Sequence, residues 1–111
     1  MMENQLVVVY CTCPDQKTAE HIAETAVYEL LAACVSIIPG LNSIYRWRGK
    51  VCRNSELLLI LKTQEITYQL LEARICELHP YEVPEIIAFP IHTGAANYLA
   101  WLKDNTSIPL L

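Results

Sequence analysis

Two β-prone segments of unusual length face each other across Arg48-Gly49: Cys34 to Trp47 before it and Lys50 to Lys62 after it. Gly49 can take positive φ, so the chain is expected to reverse there and the segments to pair as an antiparallel hairpin. About 13 extended residues at ~3.3 Å each reach ~43 Å. A globule of this length has a radius of gyration of only ~13 Å, so the hairpin should overhang its own domain. Pro39-Gly40 interrupts the first arm, and the missing amide beside a flexible glycine predicts a bulge or bend. Overhanging apolar positions such as Val51 and the run Leu57 to Leu61 are an aggregation hazard unless another chain covers them. That predicts a symmetric oligomer built by hairpin pairing.

The remaining segments arrange themselves around this hairpin. Leu6 to Tyr10 is a run of β-formers without strict alternation, the pattern of a central strand covered by helices. Pro14 ends it, Asp15 is a good N-cap, and Ala19, Ile22, Ala23, Ala26, Val27, Leu30 and Leu31 recur at helical spacing. After the hairpin, Thr63 is placed to cap a second helix, with Tyr68, Leu71, Ile75 and Leu78 on one stripe and Leu70 beside it. Pro80 forbids its continuation. Glu85 to Ile91 reads as a fourth strand and Asn97 to Lys103 as a short terminal helix. Ile108-Pro109-Leu110-Leu111 reads as an apolar tail that packs on something. The order is strand, helix, strand, strand, helix, strand: an α+β, ferredoxin-like βαββαβ sandwich with a helical appendix, in which residues 1–111 form one domain.

Composition narrows the functional classes. Eight basic residues against twelve acidic ones give a formal charge of −4, which argues against a nucleic-acid partner, because phosphate binding needs surplus Lys and Arg. The longest apolar runs are about five residues, far below the ~20 that cross a bilayer, so no membrane partner is expected. The N-terminus shows no basic stretch followed by a long apolar one, and a cytoplasmic location follows. Five cysteines, an odd number without disulfide-framework or four-thiolate spacing, are expected to be reduced.

Cys11-Thr12-Cys13-Pro14-Asp15 ends the first strand and opens onto a helix N-terminus, a setting that favours thiolates, which are soft metal ligands. Cys11 and Cys13, two apart, project to the same side of a strand. Both can equally serve as small apolar fillers beneath a helix, and Cys34, Cys52 and Cys76 read as structural. His79-Pro80-Tyr81-Glu82-Val83-Pro84-Glu85 is the densest polar and aromatic cluster, held by two prolines in a loop between helix and strand. His79 can alternatively sit at the helix C-terminus simply as a favourable cation. Lys62, Tyr81 and Glu85 are candidates for a shared pocket. Trp47, flanked by Arg46 and Arg48, is an interface anchor in an oligomer rather than a base-stacking platform. No Gly-rich phosphate loop, nucleophile elbow or H-E-x-x-H is present, so the chain does not read as an enzyme. A thiol enzyme using Cys11 with His79 as base would need the two within hydrogen-bond reach.

From Leu6 to Lys103 the chain resembles the CutA divalent-cation-tolerance family. The resemblance is carried by Cys11-Thr12-x-Pro14-Asp15, Leu31-Ala32-Ala33-Cys34, Ile38-Pro39-Gly40, Ser43-Ile44-Tyr45-x-Trp47-x-Gly49-Lys50, Lys62-Thr63, His79-Pro80-Tyr81-Glu82-x-Pro84-Glu85 and Tyr98-Leu99-x-Trp101-Leu102. It implies a ferredoxin-like homotrimer formed through long hairpins, with Tyr45 and Trp47 at the trimer interface, and a link to tolerance of copper or other divalent metals. Some members are described as binding copper through the first-strand Cys and two consecutive His before Pro-Tyr. Those positions are Cys11, Leu78 and His79 here, so the expected metal residues are Cys11 and His79, with Cys13 at best a substitute for the missing histidine. The assembly also resembles the PII signalling proteins, which makes small-molecule binding between subunits, or a scaffold for a protein partner, the alternative function.

Overall fold

Asp15 begins the first helix as its sequence suggests: its carboxylate accepts the Thr18 backbone N–H at 2.8 Å. The structure, a computed structural model, describes residues 5–107. In chain order the elements are β1 (Leu6–Cys13), α1 (Gln16–Tyr28), β2 (Cys34–Trp47), β3 (Lys50–Gln64), α2 (Glu65–Leu78), β4 (Ile86–Pro90) and α3 (Ala96–Asp104). The four strands form one sheet in the order β2-β3-β1-β4, with every neighbouring pair antiparallel. This is the expected α+β, βαββαβ arrangement with a short helix appended. None of the described helices is long and apolar enough to cross a membrane.

Alternation along the strands separates the two faces of the sheet. Val7, Val9, Cys11 and Cys13 of β1 and Leu57, Leu59 and Leu61 of β3 point to one side and pack with Ala19, Ile22 and Ala26 of α1 and Leu71 and Ile75 of α2. The other side leaves Ile38, Ile87 and Phe89 exposed, and on it Tyr10 meets Phe89 edge-on at 4.9 Å between ring centroids. Among the described residues, the cysteines of β1 therefore belong to the covered face.

The hairpin forms as expected. Arg48 and Gly49, both at positive φ, make its two-residue turn. The register slips between Ile38 and Leu41, with Gly40 at φ +86, so the Pro39-Gly40 bulge is real. Beyond this bulge Leu41–Trp47 pairs only with Lys50–Glu56, because β1 covers β3 only from Leu57 onward. A two-stranded ribbon thus projects from the sheet, and the chain measures 44 Å along one axis against 27 Å along the others.

Four expectations are corrected. Leu57 to Leu61 do not overhang: Leu57, Leu59 and Leu61 are core residues of the sheet, and the exposed apolar side chains of the ribbon are Ile44, Tyr45, Trp47 and Val51. Thr63 does not cap α2, because β3 stays paired with β1 up to the Leu6–Gln64 pair and Thr63 is a buried strand residue. Leu30 and Leu31 do not extend α1. The helix stops at Tyr28, where the Leu30 N–H donates to Val27 O and the Leu31 N–H to Ala26 O, with Leu30 itself left-handed at φ +62. Cys76, read as structural, is exposed, although all five cysteines are free as expected. The tail Ile108-Pro109-Leu110-Leu111 lies outside the described residues.

Candidate functional site

Pro80 fixes where the site begins. The residue before a proline is driven out of helical geometry, so α2 ends at Leu78 and His79 turns extended at φ −83, ψ 136. Its ring passes beneath β1. The Nε2 atom lies 2.8 Å from the Thr12 carbonyl, and the Tyr81 backbone N–H donates to Nδ1 at 3.2 Å. A carbonyl can only accept, so Nε2 carries the proton and Nδ1 presents its lone pair.

The His79 ring also belongs to a buried cluster. The Cys11 and Cys13 sulfurs and a His79 ring nitrogen all lie within 4.8 Å of one another. Both cysteines are 0% exposed and His79 is 7% exposed. β1 supplies the two sulfurs because its i and i+2 residues share a face, and the end of α2 supplies the imidazole. The Cys11 thiol donates to the Thr12 carbonyl at 3.8 Å, and the Cys13 sulfur lies in contact range beside it. The Cys13 sulfur, and burial after it, raises the Cys11 pKa, while the Cys11 sulfur and the His79 ring hold Cys13 below its ordinary value. Burial pushes His79 down, but the Cys13 sulfur and the Thr12 carbonyl more than offset it, and the imidazole sits above its usual value.

The donor set suits a metal ion. Zinc-like bonds of about 2.3 Å to sulfur and 2.0 Å to nitrogen place neighbouring ligand atoms roughly 3.5–4 Å apart, within the span of this cluster. Both sulfurs are soft donors. The carbonyl accepting the remaining ring N–H is the outer contact that fixes a ligating histidine's tautomer. Leu78, the neighbour of His79, packs against the hydrophobic core and offers no donor.

On the opposite face of β1 lies a cleft of ≈ 670 Å³, whose walls include Thr12, Tyr45, Trp47, Glu56, Tyr81 and Glu85. Glu56 is only 6% exposed, and the Tyr81 hydroxyl donates to its Oε2 at 2.7 Å. Burial, together with this carboxylate, pushes the Tyr81 phenol up. His79 of the cluster and Tyr81 of the cleft wall have their rings 4.7 Å apart. At the ribbon tip, Arg48 pairs with Glu82 at 3.0 Å and its guanidinium lies 5.4 Å from the Trp47 ring centroid.

The chain therefore brings Cys11 to His79, and Tyr81 to the cleft shared with Glu85, Tyr45 and Trp47. It does not bring Lys62 there: Lys62 lies opposite Val8 and Cys34, five positions along β3 from Leu57. Cys13 enters the cluster although it was at most a substitute in the sequence, where the i, i+2 spacing was its signal. Glu56 had no signal beyond being a lone acid at the head of an apolar strand run.

The family model described as "CutA1 divalent ion tolerance protein" matches residues 7–105. The divalent-cation tolerance protein CutA of Thermus thermophilus is 52% identical over 99 residues, which are 89% of this chain and 96% of that protein. The chloroplastic CutA protein of Arabidopsis thaliana is 46% identical over 90% of this chain, which spans only 55% of that longer relative. The solved structure of the Thermus thermophilus divalent cation tolerance protein superposes with a TM-score of 0.90 at 50% identity, covering 92% of this chain and 99% of that one. Strand order, hairpin and these matches agree, and the chain belongs to the CutA1 divalent-ion-tolerance family.

Proposed function

We propose that this chain acts in tolerance of copper or another divalent metal by binding the ion at the cluster between the end of β1 and the His79-Pro80-Tyr81 loop, as a homotrimer in the cytoplasm. The observation that carries this reading is the buried meeting of Cys11 and His79, which lie far apart in sequence, with a histidine tautomer that leaves Nδ1 as a donor. Bound there, the ion would be held by sulfur and imidazole while the Thr12 carbonyl keeps the ring oriented. Five free cysteines suit a reducing compartment. No catalytic step is assigned, because both cluster sulfurs are closed to a substrate.

Native mass spectrometry of the reduced, anaerobic protein titrated with Cu(I), Cu(II) and Zn(II) tests this reading. The expected result is a trimer with one saturable ion per chain that is lost in Cys11→Ser. Metal uptake indifferent to both Cys11→Ser and His79→Ala would overturn it.

The cleft supports a second, PII-like reading, in which a small molecule binds beside Tyr81, Glu85 and the buried Glu56 carboxylate, walled by Tyr45 and Trp47. Lys62 would join only from a neighbouring copy. Ligands that bind the folded chain alone raise its unfolding temperature. A metabolite screen by thermal shift is expected to find a stabiliser whose effect Tyr81→Phe diminishes, and a screen without one counts against this reading.

A further inference from the structure

We propose that Cys13 is the third donor of the metal centre and that the centre takes Cu(I), held by the Cys11 and Cys13 sulfurs and by His79 Nδ1. This inference rests on the metal reading above and adds both a ligand and the oxidation state of the ion.

The donor count points first to Cu(I). Structural zinc is almost always four-coordinate, and catalytic zinc completes three protein ligands with water. Among the described residues the cluster offers three donors. Its sulfurs are wholly buried on the covered face of the sheet, flanked across β3 by Leu57 and Leu59, which suits an ion content with three donors. Softness points the same way, since thiolates favour Cu(I) over the hard divalent ions. Two of the three donors are sulfur, which makes the set a soft one.

The local contacts fit this assignment. Nε2–H keeps its bond to the Thr12 carbonyl, and Nδ1 exchanges only the longer, 3.2 Å contact with the Tyr81 N–H for the metal. His79 is the one donor residue with any exposure, so the ion enters past its ring and Tyr81.

The test is an anaerobic competition titration of the reduced full chain, with Cu(I) supplied against the chromophoric chelator bicinchoninate, together with copper-edge X-ray absorption of the loaded wild type. One Cu(I) per chain with two sulfur neighbours and one nitrogen is expected. Cys13→Ala should weaken Cu(I) binding by about 100-fold or more, at or beyond the upper end of what losing a supporting contact costs. Cys13→Ser is run alongside, with circular dichroism to verify folding, and the absorption measurement needs no variant. A single sulfur neighbour, or unchanged affinity in both variants, overturns the role of Cys13 while leaving the Cys11–His79 reading in place. Preferential loading of Zn(II) or Cu(II) overturns the Cu(I) assignment alone. Absence of any bound metal overturns this inference and the reading it rests on.

Discussion

Tyr81→Phe removes one hydroxyl and leaves the Glu56 carboxylate, 6% exposed, without its 2.7 Å donor. Stranding a buried acceptor costs about 1–3 kcal/mol, and urea denaturation of the variant should show a loss in that range with an unchanged m-value. Asp15 behaves differently because it sits at the surface. The Thr18 backbone N–H holds its carboxylate below the ordinary 3.8. A depressed carboxylate contributes stability that is present above its unfolded value and is lost as pH falls through the lower folded one. The stability gap between wild type and Asp15→Ala should therefore be widest above pH 3.8 and close as pH drops further, and melts from mildly to strongly acidic pH would check this. These two residues also mark what the sequence discloses. Asp15 was legible because its partner is three residues away and capping is a local rule. Glu56 was not, because its donor lies 25 positions later and only the folded chain brings them together. Cys11 and His79 could be singled out by motif, but which ring nitrogen carries the proton depends on the carbonyl of Thr12, a residue with no signature of its own.

At the scale of elements, local chemistry named the parts and tertiary pairing moved their ends. The bulge, the turn at Gly49 and the stop before Pro80 follow from backbone rules that any chain obeys, and each falls where those rules put it. The end of β3 does not. Thr63 has the chemistry of a helix cap, yet pairing with β1 carries the strand through Gln64, whose side chain instead donates to the Lys103 carbonyl and to Thr106 Oγ1. Likewise Leu30 and Leu31 continue the apolar period of α1, but the helix closes first in a Schellman motif with Leu30 in the left-handed position. A side chain there costs roughly 1–2 kcal/mol of backbone strain. Leu30 is half exposed, so Leu30→Gly relieves the strain with little loss of packing. After the larger entropy cost of fixing glycine, a net gain of about 0.5–1 kcal/mol is expected, read as a higher unfolding temperature. A lower one would mean that Leu30 contributes more packing than its exposure suggests.

For the whole molecule the decisive quantity is apolar surface left uncovered. An isolated two-stranded ribbon is marginal in water, yet here Leu41–Trp47 and Lys50–Glu56 project as one, carrying Ile44, Tyr45, Trp47 and Val51 at the surface. Within the chain the tip is tied back by the Arg48–Glu82 pair, which is exposed on both sides, and exposed pairs contribute about 0–1 kcal/mol. That is too little to hold the ribbon alone. The sheet face bearing Ile38, Ile87 and Phe89 adds a second uncovered patch, and contiguous exposed apolar surface of this kind marks an association site. Copies of the same chain, related by symmetry, can cover both at once. Light scattering behind size-exclusion chromatography should then return the mass of three chains. Phe89→Glu, which places a charge on the open face while leaving the Val9–Leu59–Leu61 core untouched, should shift the mass toward one chain with helical circular dichroism retained. A wild-type monomer would show instead that the ribbon is stable by itself, and the cleft beside Tyr45 and Trp47 would then have to hold its ligand within one chain.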